Sequence, residues 1–232
     1  MLNDHSGFVP KEPGVTSRTS LAAKAPEERR RRILAAAVEV LKEKGFAGAR
    51  IADIAAMAGT SPALVVYHFK TLDGALAEAL GSVEDDFYTD LDQALPPQAT
   101  AVERLRVIGE LGCDTGPAVG NWALWMEVWV RALRDGQARA LRRALDARWR
   151  QTLRDCIDAG VAEGAFRCAD PQATAVRLAA LMDGLAVQVA LRDPDVPENR
   201  MTDLWLESAA AELDVPLRQL IKTKRRPTTK RP

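Results

Sequence analysis

Residues 51–69 read IADIAAMAGTSPALVVYHF, and this stretch decides the fold. A first short helix is indicated by four apolar residues at helical spacing, Ile51, Ile54, Ala55 and Ala58. Gly59 supplies the permissive backbone that ends this helix. Ser61 is a preferred N-cap and Pro62 suits the first helical position, so a second helix is predicted to begin almost at once.

The second helix is predicted to bury one face and to expose the other. Val65 and Phe69, four residues apart, can pack back onto Ile54 and Ala58. The outward positions are then Pro62, Ala63, Val66, Tyr67 and His68. Two short helices locked at an angle are typical of a helix-turn-helix, whose second helix enters the major groove of DNA. Spacing alone fits equally an ordinary helical hairpin inside a bundle.

Charge is distributed unevenly along the chain. The 232 residues carry 32 Lys/Arg and 32 Asp/Glu, so the net charge is zero. Residues 1–70 hold 11 basic and 7 acidic side chains, residues 217–232 hold 7 and none, and residues 71–216 hold 14 and 25. Basic ends around an acidic middle are expected when an end of the chain meets phosphate and the middle does something else.

The composition is that of a soluble protein built from helices. Alanine, leucine and arginine dominate and 5% of the residues are aromatic, which predicts an all-α fold. Three cysteines without metal-ligand spacing argue against a disulfide framework and fit a reducing cytoplasm. The N-terminus lacks a signal-peptide core, and the longest apolar run, residues 178–191, is interrupted by Asp183 and Gln188. We therefore expect a cytoplasmic protein that does not span a membrane.

The N-terminal region divides into an arm and a first helix. Residues 1–26 mix Gly, Pro, Ser, Thr and Lys without periodicity, which predicts a mobile arm. An amphipathic helix is predicted from residue 27 to Gly45, with an apolar stripe of Ile33, Leu34, Ala37, Val38 and Leu41. Four consecutive arginines, 29–32, occupy its first turns. They fit contact with DNA phosphates, with Arg29 and Arg30 as candidates, or an ordinary solvated face.

Several short segments of residues 32–69 carry a family resemblance in combination. They are RILAAA at 32–37, KGF at 44–46, DIA at 53–55, AG at 58–59, Ser61 and YHF at 67–69. Together they resemble the N-terminal domain of the tetracycline-repressor (TetR) family. The resemblance implies an all-α protein: a three-helix helix-turn-helix domain over residues 27–75, a larger helical effector-binding and dimerisation domain over 76–216, and a basic disordered tail over 217–232.

The resemblance also implies where DNA is bound. Tyr67 and His68 should reach the backbone or the base edges, with Lys70 and Thr71 near the next phosphate. At the start of the helix the predicted contact set includes Ser61, Pro62, Ala63 and Leu64, of which the last three offer only apolar contact, for instance to thymine methyl groups.

Four positions depart from the family pattern and remove polar contacts that are usual in it. Arg50 stands where a Thr or Ser cap is frequent, Leu64 replaces a common threonine, Val66 a tyrosine and Leu72 a lysine. Arg50 is expected to replace lost contacts, on phosphate or on guanine.

The acidic middle of the chain reads as helices throughout. They are predicted over residues 72–94, 99–113, 119–134, 137–164, 171–191 and 197–213. In the third of these, Trp122, Trp125 and Trp129 share one face. That face fits bundle core. It also fits the wall of a ligand cavity with Trp122, Trp125, Met126 and Trp129 as lining and Glu127, Glu110 or Asp183 as a polar anchor. An aromatic wall beside a carboxylate would suit a cationic or amphipathic effector.

The helix over residues 171–191 combines an isolated carboxylate with many small residues. A buried Asp183 needs a partner, so it faces a cavity, pairs across an interface or is exposed. The segment DGLAVQ at 183–188 resembles the penultimate helix of choline-regulator-like (BetI-like) family members, and in the family the last two helices form the dimer interface. Small residues would let two copies approach closely there: Ala175, Ala179, Ala180, Gly184, Ala186 and Ala190. The alternative is a bundle interior within one subunit.

No catalytic motif is present in the sequence. It has two histidines, no glycine-rich phosphate loop, no zinc spacing and no nucleophile elbow, so an enzyme, a metal site and a cofactor are not expected. The sequence predicts a DNA-binding protein that binds a palindromic operator as a homodimer, and the family resemblance implies that it is a repressor released by a small-molecule effector. The alternative is a nucleic-acid-binding protein that is structural, with its basic tail over residues 222–231 wrapping phosphate, or controlled by a partner or by abundance rather than by a ligand.

Overall fold

The structure, a computed structural model, describes residues 18–113 and 119–221. Within these ranges it contains helices and no strand, which confirms the predicted all-α fold. The first four helices are α1 (Arg18–Gly48), α2 (Ile51–Met57), α3 (Pro62–Phe69) and α4 (Leu72–Ala94). The others are α5 (Ala101–Gly112), α6 (Val119–Ala132), α7 (Gly136–Ala162), α8 (Pro171–Ala190), α9 (Met201–Leu213) and α10 (Leu217–Leu220), with a 3-10 turn at Glu198–Arg200.

The N-terminal boundary differs from the prediction. Helix α1 begins at Arg18, so residues 18–26, assigned to a mobile arm, are helical, and Pro26 lies inside the helix. Residues 1–17 lie outside the described part of the chain. At its other end α1 breaks at Gly45, as predicted, because this residue adopts a φ of 65° and a ψ of 178°.

Helix starts are fixed by side chains that accept hydrogen bonds from the first free backbone N–H groups. Thr100 and Glu103 form a reciprocal capping box at α5. Asp135 accepts from two backbone N–H groups at the start of α7, and Asp170 caps α8 before Pro171. These caps explain why α5, α7 and α8 start within two residues of their predicted positions.

The core of the N-terminal domain extends beyond the predicted boundary at residue 75. Its buried residues come from α1, α2 and α3, and it continues along α4 to Ala79 and Leu80. Helix α6 adds Leu124 and Val128 to the same cluster. The DNA-binding domain and the helical domain therefore share α4 and α6.

The C-terminal core is centred on Trp205 of α9. This side chain is fully buried and donates its Nε1–H to the Leu178 carbonyl oxygen of α8 at 2.9 Å. By length and composition, α8 is the one helix in the described ranges that could span a membrane, but Leu178 and Met182 are buried in this core. One face of α8 therefore packs in the core of the bundle.

The predicted disordered tail begins too early. Residues 217–220 form α10, and Leu220 is buried in the C-terminal core. An apolar side chain at every third position, Leu217 and Leu220, lets this turn pack back on the bundle. Residues 222–232 lie outside the described part of the chain.

Candidate nucleic-acid interface and effector cavity

Helix α3 is anchored as the sequence predicted. The Ser61 Oγ accepts a hydrogen bond from the Leu64 N–H at 3.2 Å, and Pro62 opens the helix. Val65 and Phe69 are buried together with Ile54 of α2. These contacts fix the angle between the two helices and leave the other face of α3 largely exposed.

The outer face of α3 presents apolar and aromatic groups to solvent. Tyr67 is 69% exposed and Val66 is 43% exposed, while Pro62 and Ala63 are exposed and Leu64 and His68 are half-buried. The Tyr67 and His68 rings make an edge contact with centroids 5.2 Å apart. The predicted facing of this helix is therefore confirmed, with His68 less exposed than expected.

Lys70 and Thr71 lie between the end of α3 and the start of α4. Lys70, with a φ of 64°, donates its Nζ–H to the Tyr67 carbonyl oxygen at 3.1 Å and lies 5.6 Å from the Tyr67 ring centre. The Thr71 Oγ1 accepts a hydrogen bond from the Gly74 N–H and caps α4. Thr71 therefore has a structural role as well as the phosphate contact predicted for it.

The three arginines predicted to contact phosphate, Arg29, Arg30 and Arg50, differ in whether their side chains are free to reach DNA. Arg29 is exposed, and Arg50 is exposed at the start of α2 without capping the helix through its side chain. Arg30 instead pairs with Glu78 of α4 and lies 5.3 Å from the Phe69 ring centre. The sequence could not show this partner because Glu78 is 48 residues away. Arg30 thus ties α1 to α3 and α4.

The missing cap of α2 is offset by a charge in its first turn. Asp53 is well placed to interact with the free N–H groups of that turn. Its carboxylate forms an ion pair with Lys44 at 2.8 Å, and the hydrogen bond from Lys44 lowers the Asp53 pKa. The KGF and DIA segments of the sequence are therefore joined by this pair.

A cavity of about 740 Å³ lies between α1, α4, α5, α6, α7 and α8. Its aromatic lining comes from three helices: Phe87, Tyr88, Trp122, Trp125, Trp129 and Trp149. The three tryptophans of α6 are half-buried and all line the cavity, so the face reads as a wall rather than as solid core. A volume of this size accommodates a drug-sized ligand.

Asp183 supplies a carboxylate to the cavity lining. Among the described residues, no hydrogen bond or ion pair joins it to another side chain. Burial raises the pKa of Asp183 to about 6; the charge of Asp146 raises it further, and Arg142 and Arg150 lower it. Asp183 is half-buried. A carboxylate partly withdrawn from water is costly without a partner, and a bound cation would relieve that cost.

Three other predicted cavity groups do not line this cavity. Met126 is absent from the lining. Glu127 instead accepts a hydrogen bond from the Phe46 N–H at 2.5 Å, and Glu110 pairs with Arg106 one turn earlier on α5. Helical geometry explains the outcome, because positions 126 and 127 turn progressively away from the face shared by 122, 125 and 129.

The sequence missed the contribution of α4 to the cavity. Glu84, Phe87 and Tyr88 line it, and Phe87 packs edge-on against Trp149 with ring centroids 5.6 Å apart. The aromatic pair within an acidic helix was the available signal. It was not distinctive, because amphipathic helices of any bundle carry such residues.

Helix α6 joins the cavity to the DNA-binding domain. Opposite its tryptophan face, Glu127 holds the Phe46 backbone, and Arg131 forms an ion pair with Asp73 of α4 at 2.7 Å. The Arg131 guanidinium also lies 5.5 Å from the Phe46 ring centre. Helix α6 therefore contacts both the cavity and the helices α1 and α4 of the DNA-binding domain.

A helix-turn-helix with an exposed reading face, joined by shared helices to a bundle that carries a half-open cavity, defines a helical DNA-binding regulator. Comparison with protein families agrees. Residues 33–79 match the model described as bacterial regulatory proteins, tetR family, and residues 101–214 match that described as BetI-type transcriptional repressor, C-terminal. The chain belongs to the TetR family of transcriptional regulators.

Individual relatives cover most of the chain. The HTH-type transcriptional regulator BetI of Escherichia coli (strain K12) is 26% identical over 183 residues, which is 76% of this chain and 89% of BetI. A Saccharomonospora viridis protein described as a transcriptional regulator and solved in complex with choline is 32% identical, with a TM-score of 0.72 over 81% of this chain and 98% of that one. A Rhodococcus TetR-family structure is 28% identical, with a TM-score of 0.73 over 81% and 99%.

Proposed function

We propose that this protein is a cytoplasmic repressor that binds a palindromic operator as a homodimer and leaves it when a cationic small molecule fills the cavity. The observation that carries the ligand class is the Asp183 carboxylate, which has no hydrogen-bond or ion-pair partner within residues 18–113 and 119–221, in a cavity walled by aromatic rings. Aromatic faces and a carboxylate together attract a cation more strongly than either alone. The choline bound by the Saccharomonospora relative supports the same class.

The reading surface is the outer face of α3 with the cations beside it. Tyr67, His68 and Lys70 supply polar contacts, while Pro62, Ala63 and Leu64 supply the apolar contacts that favour thymine methyl groups. Arg29 and Arg50 are proposed to contact phosphates that flank the groove. One such helix reads few base pairs, so two-fold symmetry would double the readout.

The proposed dimer uses the exposed face of α8. Val176, Ala180 and Gly184 lie one turn apart and are exposed, and apart from the adjacent backbone of α8 no described residue lies within 4 Å of the position that a Gly184 Cβ would take. This stripe of small and apolar residues would let a second copy approach closely. Of the other small residues that the sequence suggested, Ala175, Ala179 and Ala186 are buried within the subunit.

The proposed release acts through α6. A ligand that shifts the tryptophan face shifts Leu124 and Val128, which are packed in the DNA-binding core, and the Arg131–Asp73 pair. A ligand changes the DNA affinity only by its differential affinity for the two states, so a hundredfold release needs about 2.7 kcal/mol of preference.

The test combines operator selection with ligand titration. Selection from random duplexes should yield a palindrome, and sedimentation should show a dimer in free solution. Choline and larger quaternary ammonium ions should quench tryptophan fluorescence and release the operator, and Asp183→Asn should abolish both effects. A monomer with no palindrome preference would contradict the DNA assignment. Operator binding that no cation changes would instead favour control by a partner or by abundance.

A further inference from the structure

The effector cavity reaches the DNA-binding domain. Three residues of α1, Leu34, Ala35 and Val38, belong to the lining of the same cavity that Asp183 of α8 lines. Leu34 and Val38 also pack against the core of the DNA-binding domain. The volume of about 740 Å³ is that of a drug-sized ligand, so a small cation beside Asp183 leaves much of the cavity unfilled.

The wall that α1 contributes is apolar. Leu34, Ala35 and Val38, here called the α1 strip, share one side of the helix because positions i, i+1 and i+4 are neighbours on its surface. Leu34 and Val38 are half-buried, and Ala35 is exposed. On α4, Val83 and Phe87, one turn apart, line the cavity as well. An alkyl or acyl chain that lies against such side chains loses contact with water, which favours its binding.

The charged residues of α1 in this lining are paired within the helix. Arg31 forms an ion pair with Glu28, and Lys42 forms one with Glu39, each at 2.9 Å. Arg31, Lys42 and Glu39 all line the cavity. Because their charges are balanced by these pairs, the α1 wall favours an apolar group of a ligand over a second cationic group.

We propose that the effector is an amphipathic cation, whose apolar arm lies against the α1 strip while its cationic group lies beside Asp183. The inference rests on the proposed cationic effector and adds the chemistry of the rest of that ligand. Another face of α1 is buried in the core that holds Phe69 of the reading helix, and Arg30 lies 5.3 Å from the Phe69 ring centre. The arm therefore contacts a helix that itself contacts the reading helix.

The test is a fluorescence titration of the full-length protein with choline and with butyl- and octyltrimethylammonium, each kept below its micelle concentration. Choline is the probe without an arm, and the two alkyl ions differ by four methylene groups. A fully buried methylene group raises affinity about fourfold. Because a half-open cavity buries the chain only in part, the octyl ion should bind about fiftyfold more tightly than the butyl ion.

Two variants place a polar group on the α1 strip. Val38→Thr nearly keeps the shape of the side chain, and Ala35→Gln changes an exposed helical position, so the protein should stay folded. Each should weaken binding of the octyl ion about fivefold and change choline affinity less than about twofold, because the strip contacts the arm and not the cationic group. Ala144→Gln, at an exposed position of α7 outside the lining, is the matched control and should change neither affinity.

Photochemical labelling locates the arm directly. A trimethylammonium ion that carries a diazirine at the end of its octyl chain is irradiated in complex with the wild-type protein. The label should fall on the tryptic peptide of residues 33–42, and an excess of octyltrimethylammonium should prevent the labelling.

The outcomes distinguish this inference from the proposed function beneath it. If choline binding requires Asp183 but the octyl ion gains nothing over the butyl ion, the arm is wrong and the cationic effector stands. The same conclusion follows if Val38→Thr and Ala35→Gln leave the octyl affinity unchanged, if they weaken choline equally, or if the label falls on α6, α7 or α8 instead. If choline and both alkyl ions fail to bind at millimolar concentration, the cationic effector and its arm are both wrong.

Discussion

Substituting Gly45 by alanine tests how α6 is joined to the DNA-binding domain. Gly45 has a φ of +65°, and a Cβ built on it would lie 2.4 Å from the Glu127 Oε1. That carboxylate accepts the hydrogen bond from the Phe46 N–H. Gly59, in the turn between α2 and α3, has a φ of +61° with nothing within 4 Å of its Cβ position. It is a control for a substitution at positive φ that leaves Glu127 in place, whereas Gly45, with a ψ of 178°, lies in a backbone region essentially confined to glycine and carries strain of its own.

The two substitutions should lower the free energy of unfolding by different amounts. Left-handed backbone costs an alanine about 1–2 kcal/mol relative to glycine, so Gly59→Ala should lower the free energy of unfolding by about that amount. Displacing a charged acceptor from a backbone N–H adds about 1.5–3 kcal/mol. Because Glu127 is only half-buried, the lower part of that range applies, and Gly45→Ala should cost about 3 kcal/mol in total.

Urea denaturation followed by circular dichroism measures these differences, at one protein concentration because an associating protein gains apparent stability with concentration. In a Glu127→Ala background, the cost of Gly45→Ala should fall by about 1.5 kcal/mol, since the displaced group is gone, whereas the cost of Gly59→Ala should not change. Equal losses for Gly45→Ala and Gly59→Ala in the wild-type background would show that Glu127 does not hold this junction.

Three other predictions concern the reading helix, the cavity and the dimer. Tyr67→Ala should weaken operator binding in a gel-shift assay without changing stability, whereas Phe69→Ala, which empties a buried site, should cost about 3–5 kcal/mol of unfolding free energy; a fully stable Phe69 variant would refute the facing of α3. Because the pKa of Asp183 is raised to about 6, acidification from pH 7 to pH 5 should weaken choline binding about tenfold. The same acidification should increase the free energy of unfolding, because Asp183 binds a proton more tightly in the folded state than in the unfolded state. Asp183→Asn should remove the pH dependence of both choline binding and stability. Gly184→Arg should convert the dimer to a monomer in sedimentation, while Ala144→Arg on the exposed side of α7 should not; a dimeric Gly184 variant would place the interface elsewhere.

The sequence determined the local elements of this protein. The cap Ser61, the break at Gly45 and the turn at Gly59 act within a few residues, so their effect can be read from spacing and residue type. The burial of Val65 and Phe69 followed from helical periodicity for the same reason. The combination of short segments over residues 32–69 then identified the family and, with it, the order of the two domains.

Only the tertiary structure decided which side chains from distant helices meet. The partner of Arg30 is 48 residues away and that of Arg148 is 64 residues away, and no pattern within one helix indicates such pairs. The choice between core and cavity at Trp122, Trp125 and Trp129 also depends on where α4, α7 and α8 lie, because the same apolar face is buried in either case.

Helix α6 shows most clearly why the sequence alone does not reveal which distant side chains meet. Periodicity gives the sequence of faces around a helix, but it does not say which neighbour each face receives. In the folded protein one face of α6 lines the cavity, while Leu124 and Val128 pack in the core of the DNA-binding domain. Glu127 and Arg131 contact Phe46 and Asp73 of that domain. Amphipathicity is a property of one segment, whereas connection between two sites requires the packing of several segments against one another.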